Sequence, residues 1–164
     1  MTIIAFTTVK KPYGWMGNMS PYPVTYEGKE YRTAEALFQC LRFINYPEVQ
    51  RQIRMNPSPM EAKRIAKYHQ RQYRNHVLSP SQDVDNMLLC LRLKLECNPK
   101  LRALLKATDD ALIIEDCTNR QGGSGQFWGA ALINDEWIGE NILGELWMVL
   151  RDEPFEESIP DFIF

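Results

Sequence analysis

YRTAEALFQCLRF, residues 31–43, combines polar and apolar residues at helical spacing. Glu35, Gln39 and Arg42 are spaced so that a helix places all three on one stripe. Phe38 lies within that stripe. A second line beside it is apolar and contains Leu37, Leu41 and Ile44. A helix that is apolar on most of its surface is usually buried, so this segment predicts a buried helix that carries a glutamate.

Length, composition and charge indicate one domain. The chain has 164 residues and is 45% hydrophobic, which is enough for one substantial core and too little for two full domains. We expect a single domain over residues 1–164. The 19 basic and 21 acidic residues give a net charge of −2, without a long block of one sign. This balance argues against duplex DNA as the main partner and leaves room for a nucleotide-sized ligand.

The cysteines and the apolar segments predict a cytoplasmic protein. The cysteines form no CxxC pair and have no zinc-ligand spacing with His69 or His76; they are Cys40, Cys90, Cys97 and Cys117. Free thiols are typical of a reducing compartment. The N-terminal apolar run is short and has no basic region before it, so no signal peptide is predicted. No window approaches the roughly 20 apolar residues that a membrane span needs, so no membrane contact is expected.

Three segments have the pattern of β-strands. Residues 2–8 are short, apolar and β-branched, and residues 24–33 have a hairpin pattern with Gly28 in the turn. Residues 111–117 place two β-branched residues in a short apolar run. We expect these segments to form one small sheet. The sequence therefore predicts an α+β fold, a predominantly helical single domain around a small β-sheet.

Helical patterns dominate the middle and the end of the chain. Thr33 is placed to cap the first helix and Asn141 to cap the last one. Pro47 and Pro59 fit the first positions of two others. The predicted helices after the first cover residues 47–55, 59–70, 81–98, 99–108 and 139–152. The tail, residues 153–164, alternates acidic and aromatic residues, and we expect it to dock through Phe162 and Phe164.

Two irregular loops, residues 10–23 and 119–129, each combine glycine with tryptophan and suit the walls of a small pocket. Glu35 is either a general base or electrostatic stabiliser in a dry pocket, or the partner of a basic side chain that pins the helix. Trp128 is either a core aromatic or a stacking surface for a ligand. Arg151, near the end of the last helix, is either a helix-dipole partner or a phosphate clamp.

The residue patterns predict neither a metal nor a cofactor. His69 and His76 lie in the basic segment 63–76, which is typical of a solvated helix face and could also steer an anionic ligand. GGSG, residues 122–125, lacks the GK[ST] of a nucleoside triphosphate loop. Metal-ligand spacing and a dinucleotide fingerprint are both missing from the sequence, so no metal and no cofactor are expected.

Five segments follow one another in a fixed order from about residue 2 to residue 152. After an N-terminal strand that ends at Phe6 they are YGWMGNMSPYPVTYEGKEYRTAEALFQCLRF, SPMEAKRIA, LRALLKAT, FWG and GENILGELWMVLR. The most specific pieces are T-x-E-x-x-F-Q, the tryptophan-glycine pair and G-x-N-x-L-G-x-x-x-M-x-x-R. In this order they resemble the NADAR family, also called the YbiA-like or riboflavin-intermediate N-glycosidase family.

The resemblance implies an enzyme that cleaves the N-glycosidic bond between a ribose and a nitrogen of a base-like leaving group. Two substrate classes are associated with the family. One is the phosphorylated ribosylaminopyrimidine intermediates of riboflavin synthesis, and the other is ADP-ribose attached to guanine, including guanine in nucleic acid. The implied partner is thus a small nucleotide-like or ribosyl phosphate substrate.

The resemblance also implies roles for single residues. The family's acid on the helix after the hairpin matches Glu35, to which we assign stabilisation of the positive charge that develops on the ribose. The family's other site positions match Asn18, Gln39, Trp128, Asn141 and Arg151, and Arg42 is added as a phosphate ligand.

The chain departs from the family pattern at three places. Ala36 stands where many members have histidine, and Arg42 where they commonly have lysine. An acid common beside the tryptophan-glycine pair is missing, with Gly125 and Ala130 nearby. Arginine keeps the charge but cannot readily act as an amine nucleophile. The alternatives are therefore a catalytically altered module that binds ADP-ribose or a nucleotide without turnover, and a helical scaffold without a ligand.

Overall fold

The computed structural model describes residues 1–73 and 78–154. The helices are α1 (Ala34–Leu41), α2 (Pro47–Met55), α3 (Pro59–Gln72), α4 (Pro80–Cys97), α5 (Lys100–Lys106), α6 (Gly125–Trp128) and α7 (Ile142–Asp152). The strands are β1 (Ile3–Phe6), β2 (Val24–Tyr26), β3 (Lys29–Tyr31), β4 (Leu112–Glu115), β5 (Ala131–Ile133) and β6 (Glu136–Ile138). The predictions for His76, Phe162 and Phe164 concern residues outside the described ranges.

The described strands form three separate pairs, not the single sheet expected from the sequence. β1 and β4 are parallel, with Ile3 opposite Leu112 and Phe6 opposite Glu115. The pairs β2–β3 and β5–β6 are antiparallel hairpins. The first hairpin, β2–β3, packs against α4, where Val24 is buried. Side chains of this helix cover the hairpin, whereas the sequence analysis predicted that another strand would pair with it. The α+β class is correct, and the expected single sheet is wrong.

β5 and β6 form a hairpin that the residue patterns do not predict. Asn134 and Asp135 make its turn with φ of 50° and 63°, as in the two-residue turns that suit hairpins. Leu132 and Ile138 are exposed, so the strands lack the alternation of a half-buried strand. The one-turn helix α6 likewise lies inside the predicted loop 119–129.

α1 lies at the centre of the molecule. All eight of its residues are buried, and it contacts α2, α3 and α4. The Thr33 hydroxyl accepts a hydrogen bond of 3.1 Å from the Ala36 N–H, which confirms the predicted cap. Phe38, Leu37 and Leu41 are therefore buried with Glu35. Ile44, predicted on the same apolar line, lies after the end of α1 and is 67% exposed, so that part of the prediction is wrong.

Two further helices, α2 and α3, begin at the prolines that predicted them, and α4 begins one residue before its predicted start at Ser81. Pro47, Pro59 and Pro80 occupy the first positions of α2, α3 and α4. The hydroxyls of Ser58 and Ser79 accept hydrogen bonds from the first turns of α3 and α4. Of the helices in the described ranges, none is long and apolar enough to cross a membrane.

Candidate active site

Glu35 is the second residue of α1 and is only 6% exposed. Its Oε1 accepts a hydrogen bond of 2.8 Å from the Gln39 Nε2, one turn further along the helix. Its backbone N–H donates to the Asn18 carbonyl at 3.0 Å, which joins α1 to the first loop. In the part of the chain that the structure describes, no basic nitrogen lies within 4.0 Å of this carboxylate. The ion pair considered for Glu35 from the sequence is thus not what holds it.

Arg42 extends the polar line from Glu35 to α4. Its Nε and Nη2 donate to the two carboxylate oxygens of Asp83 at 3.0 and 2.9 Å, a bidentate pair. Its Nη1 lies 3.4 Å from the Gln39 Oε1. The guanidinium carbon lies 4.6 Å from the centre of the Phe38 ring. Arg42 is therefore a partly exposed cation whose orientation is set by a carboxylate and a ring.

Trp128 meets the same phenylalanine from another element. The ring centres of Trp128 and Phe38 are 5.6 Å apart, with an angle of 86° between the ring planes. The ring centres of Trp128 and Phe127 are 4.9 Å apart. The indole is partly buried and packs against the core, so it has both a packed portion and a portion open to solvent. Arg42 and Trp128 thus both contact the Phe38 ring, and Gln39 joins Arg42 to Glu35.

Asn18 borders this group from the first loop. Its Nδ2 lies 3.1 Å from the sulfur of Met87 on α4. Its Oδ1 is buried, and within the described ranges it has no hydrogen-bond partner. Because a buried acceptor without a donor costs free energy, this oxygen is suited to accept a hydrogen bond from a ligand.

Glu115 is a site residue that the sequence analysis did not single out. It ends β4, and the Glu35 charge acts on it. Burial raises the pKa of its carboxyl, the Arg120 guanidinium opposes this rise, and the Glu35 carboxylate adds to it. Its sequence position could have indicated it, because Glu115 ends an apolar, β-branched run. A charged side chain is rarely buried there unless it is paired or functional.

Asn141 holds the backbone of β4 at Glu115. Its Oδ1 accepts from the Glu115 N–H at 3.0 Å, and its Nδ2 donates to the Ile113 carbonyl at 2.8 Å. It occupies the N-cap position of α7 with φ of 52°, but its side chain makes no capping bond, so the predicted side-chain cap is wrong. Its amide is used by β4 because α7 begins directly beside that strand.

Arg151 is not brought to this group. Its Nη1 donates to the Thr108 hydroxyl at 3.2 Å and to the Ala111 carbonyl at 2.8 Å, both before β4. Glu115 lies at the far end of that strand, about 13 Å along the chain at 3.3 Å per residue. Arg151 therefore ties the end of α7 to the start of β4.

Sequence and structure comparisons give the family. A sequence profile described as the NADAR domain matches residues 5–153. The chain belongs to the NADAR family. It is 33% identical over 152 residues to N-glycosidase YbiA of Escherichia coli (strain K12), covering 93% of this chain and 88% of that protein. The NMR structure of E. coli YbiA matches with a TM-score of 0.72 and 33% identity, over 92% of this chain and 83% of that one.

A plant protein is also similar to this NADAR chain. The chloroplastic riboflavin biosynthesis protein PYRR of Zea mays is 28% identical over 163 residues, covering 92% of this chain and 25% of that protein. The family predicted from the sequence motifs is thus confirmed, and so is the α+β fold. Two residues of this NADAR chain differ from the family pattern, Ala36 and Arg42. Ala36 is buried in α1, and Arg42 forms an ion pair with Asp83.

Proposed function

We propose that the protein is an N-glycosidase that hydrolyses the bond between a ribose carbon and a nitrogen of a base-like leaving group. The observation that carries the proposal is the buried Glu35 carboxylate, which Gln39 holds without a basic partner within the described ranges. The same helix carries Phe38, whose ring contacts Trp128. Relatives similar over most of the chain are named N-glycosidases, which supports the same reaction class.

Glu35 acts on the reacting carbon. Loss of a nitrogen leaving group passes through an oxocarbenium-like state, in which positive charge develops on the ribose. A fixed carboxylate beside that carbon stabilises the charge and orients the attacking water. The C1′–N bond breaks with its electron pair on nitrogen, water supplies the new C1′–O bond, and the departing nitrogen takes up a proton.

The neighbouring residues bind the substrate. Trp128 stacks on the base or the ribose, and the Asn18 Oδ1 accepts a hydrogen bond from a ribose hydroxyl. Arg42 provides charge for a phosphate, which has to compete with Asp83. Gln39 and Asn141 contribute by holding Glu35 and Glu115. We leave Arg151 out of the site, because its bonds lie before β4.

The substrate is a phosphorylated ribosylaminopyrimidine or an ADP-ribosylated guanine, free or in nucleic acid. The maize relative named for riboflavin biosynthesis supports the first class. We further propose that the protein works in the cytoplasm as one domain over residues 1–164, with neither a metal nor a cofactor.

Product analysis by mass spectrometry tests the reaction. The wild type, Glu35→Gln and the exposed control Glu30→Gln are each incubated with a ribosylaminopyrimidine phosphate, an ADP-ribosyl-guanine substrate and NAD. The wild type and the control are expected to release ribose phosphate or ADP-ribose. Preorganised charge of this kind is worth about 3–4 kcal/mol, so Glu35→Gln should lose at least about 10²-fold in turnover. Undiminished turnover in the folded variant would contradict the role of Glu35.

A binding module without turnover is the second candidate. The observation that favours it is the bidentate engagement of Arg42 with Asp83, at a position where the family pattern commonly has lysine. This candidate predicts saturable binding of ADP-ribose in calorimetry, with the ligand recovered intact. Release of a free base by the wild type would exclude it.

A further inference from the structure

The backbone of Glu115 is fixed from two sides. Its N–H donates to the Asn141 Oδ1 at 3.0 Å, and its carbonyl accepts from the Ala130 N–H at 2.9 Å. Gly129 approaches so closely that a β-carbon there would lie 2.4 Å from the Glu115 carbonyl oxygen. Because Gly129 directly follows Trp128, this close approach places Glu115 next to the element that carries the indole.

The side chain of Glu115 has little to hold it in place. The carboxylate is 17% exposed, and its nearest cation, the Arg120 Nη2, lies 3.7 Å from Oε1 on a side chain that is 56% exposed. An ion pair of that length and exposure contributes little to stability. The Oε2 atom is buried and has no hydrogen-bond partner in the described residues. A carboxyl kept for structure alone is expected to have its oxygens satisfied.

The next residue shows the contrast. The Asp116 Oδ1 accepts from the Thr118 N–H at 2.9 Å and from the Thr118 hydroxyl at 2.5 Å, so Asp116 shapes the turn after β4. Of these two adjacent acids, only Glu115 keeps a buried oxygen for an incoming group.

Several charged groups act on Glu115. They are Arg120 from the loop after β4, Glu35 from α1 and Lys63 from α3. Burial and then the Glu115 charge raise the pKa of the neighbouring Cys117 thiol. Burial is the largest influence and raises the pKa of the carboxyl; Glu35 also raises it, whereas Arg120 and Lys63 lower it. Two carboxyl groups in contrasting surroundings can divide the work of acid and base. The Glu35 Oε1 accepts a hydrogen bond from Gln39, whereas the buried Glu115 Oε2 has no hydrogen-bond partner in the described residues.

We infer that Glu115 is the general acid of the reaction, which gives its proton to the leaving nitrogen as the C1′–N bond breaks. The inference rests on the proposed N-glycosidase function and adds the proton source to it. The electron pair of the C1′–N bond passes to nitrogen, and the Glu115 proton forms the new N–H bond. Water then bonds to C1′ and gives a proton to the Glu35 carboxylate. Exchange with solvent returns both carboxyl groups to their starting states.

Rate measurements over pH test the role of Glu115. General acid catalysis contributes about 10²–10⁴-fold, so Glu115→Gln should lose turnover in that range. Wild-type kcat/KM should fall on the alkaline side as Glu115 loses its proton, and this fall should be absent in the variant. The exposed control Glu136→Gln should keep both the rate and the profile of the wild type.

A second measurement keeps the inference testable if Glu115→Gln does not fold. A ¹³C NMR titration of the wild-type glutamate carboxyl groups gives the pKa of Glu115, which should match the alkaline pKa of kcat/KM. A mismatch, or a folded Glu115→Gln variant with wild-type rate and profile, overturns the inference while the N-glycosidase function stands. A wild type that releases no product on any of the three substrates overturns the function itself, and the inference with it.

Discussion

At the scale of single residues, Glu35 is held by local geometry. It is the second residue of α1, where the helix dipole favours a negative charge, and Gln39 one turn later supplies a donor. Both side chains belong to the same helix, so their contact does not depend on a distant element. This is why the i, i+4 spacing predicted their proximity.

Replacing Gln39 tests whether this donor positions the carboxylate. Gln39→Leu leaves the buried Oε1 of Glu35 without its donor, which should lower the free energy of unfolding by about 1–3 kcal/mol. Turnover should also fall, with a larger change in kcat than in KM, because Glu35 acts in the transition state. Urea denaturation and steady-state kinetics measure the two effects. The exposed Gln72→Leu is the control, and a Gln39→Leu variant with unchanged kcat would contradict a positioning role.

At the scale of elements, the irregular first loop is anchored by two helices. The Lys94 Nζ on α4 donates to the Gly17 carbonyl at 2.9 Å and to the Ser20 hydroxyl at 2.7 Å. The Trp147 Nε1 on α7 donates to the Met16 carbonyl at 3.1 Å. Buried hydrogen bonds of this kind fix the conformation of a loop that has little regular structure. Asn18, which lies in this loop, is therefore held in place.

The close packing of Gly129 against the end of β4 requires a residue without a β-carbon. A β-carbon there would lie 2.4 Å from a backbone oxygen, which cannot move without disturbing β4. Gly129→Ala should therefore lower the free energy of unfolding by about 1–3 kcal/mol and reduce turnover through Trp128 and Glu115. Gly122, where a β-carbon meets nothing within 4 Å, provides the control Gly122→Ala. Thermal unfolding of both variants measures the difference, and equal stability would contradict the close packing.

At the scale of the whole molecule, the buried Lys94 links folding to pH. Burial lowers its pKa from the ordinary value of 10.5 to about 7. Between these values the unfolded chain binds more protons than the folded one, so Lys94 makes stability rise with pH and has no effect on the slope well below 7. Buried thiols act in the opposite direction above their ordinary pKa, since burial raises the pKa of Cys40 to about 12.

The contribution of Lys94 can be isolated by subtraction. Between pH 7 and 9, the wild type should gain up to about 1.4 kcal/mol per pH unit relative to Lys94→Met, because one proton is released on folding. Urea unfolding at several pH values measures the difference, in which the contributions of the cysteines cancel. The exposed control Lys67→Met should follow the wild type. Parallel stability curves for the wild type and Lys94→Met would show that the folded protein keeps the amine charged.

Features that depend on near neighbours in the chain could be predicted from the sequence alone. The Thr33 cap, the proline starts of α2 and α3, and the stripe of Glu35 and Gln39 depend on residues at most a few positions apart. Helical periodicity in the sequence predicts which residues are buried, because residues at helical spacing lie on one face and pack together against neighbouring elements. The family was also recognisable from the order of its motifs.

Contacts between residues far apart in the chain could not be predicted from the sequence and required the tertiary fold. The separation of the strands into three pairs, the placing of Glu115 near Glu35, and the use of the Asn141 amide by β4 all join segments far apart in the chain. Arg151 stands in a motif with Asn141, yet α7 carries the two to opposite ends of β4. Local patterns do not record such contacts, because they arise from packing whole elements against one another and from satisfying buried polar groups at the junctions.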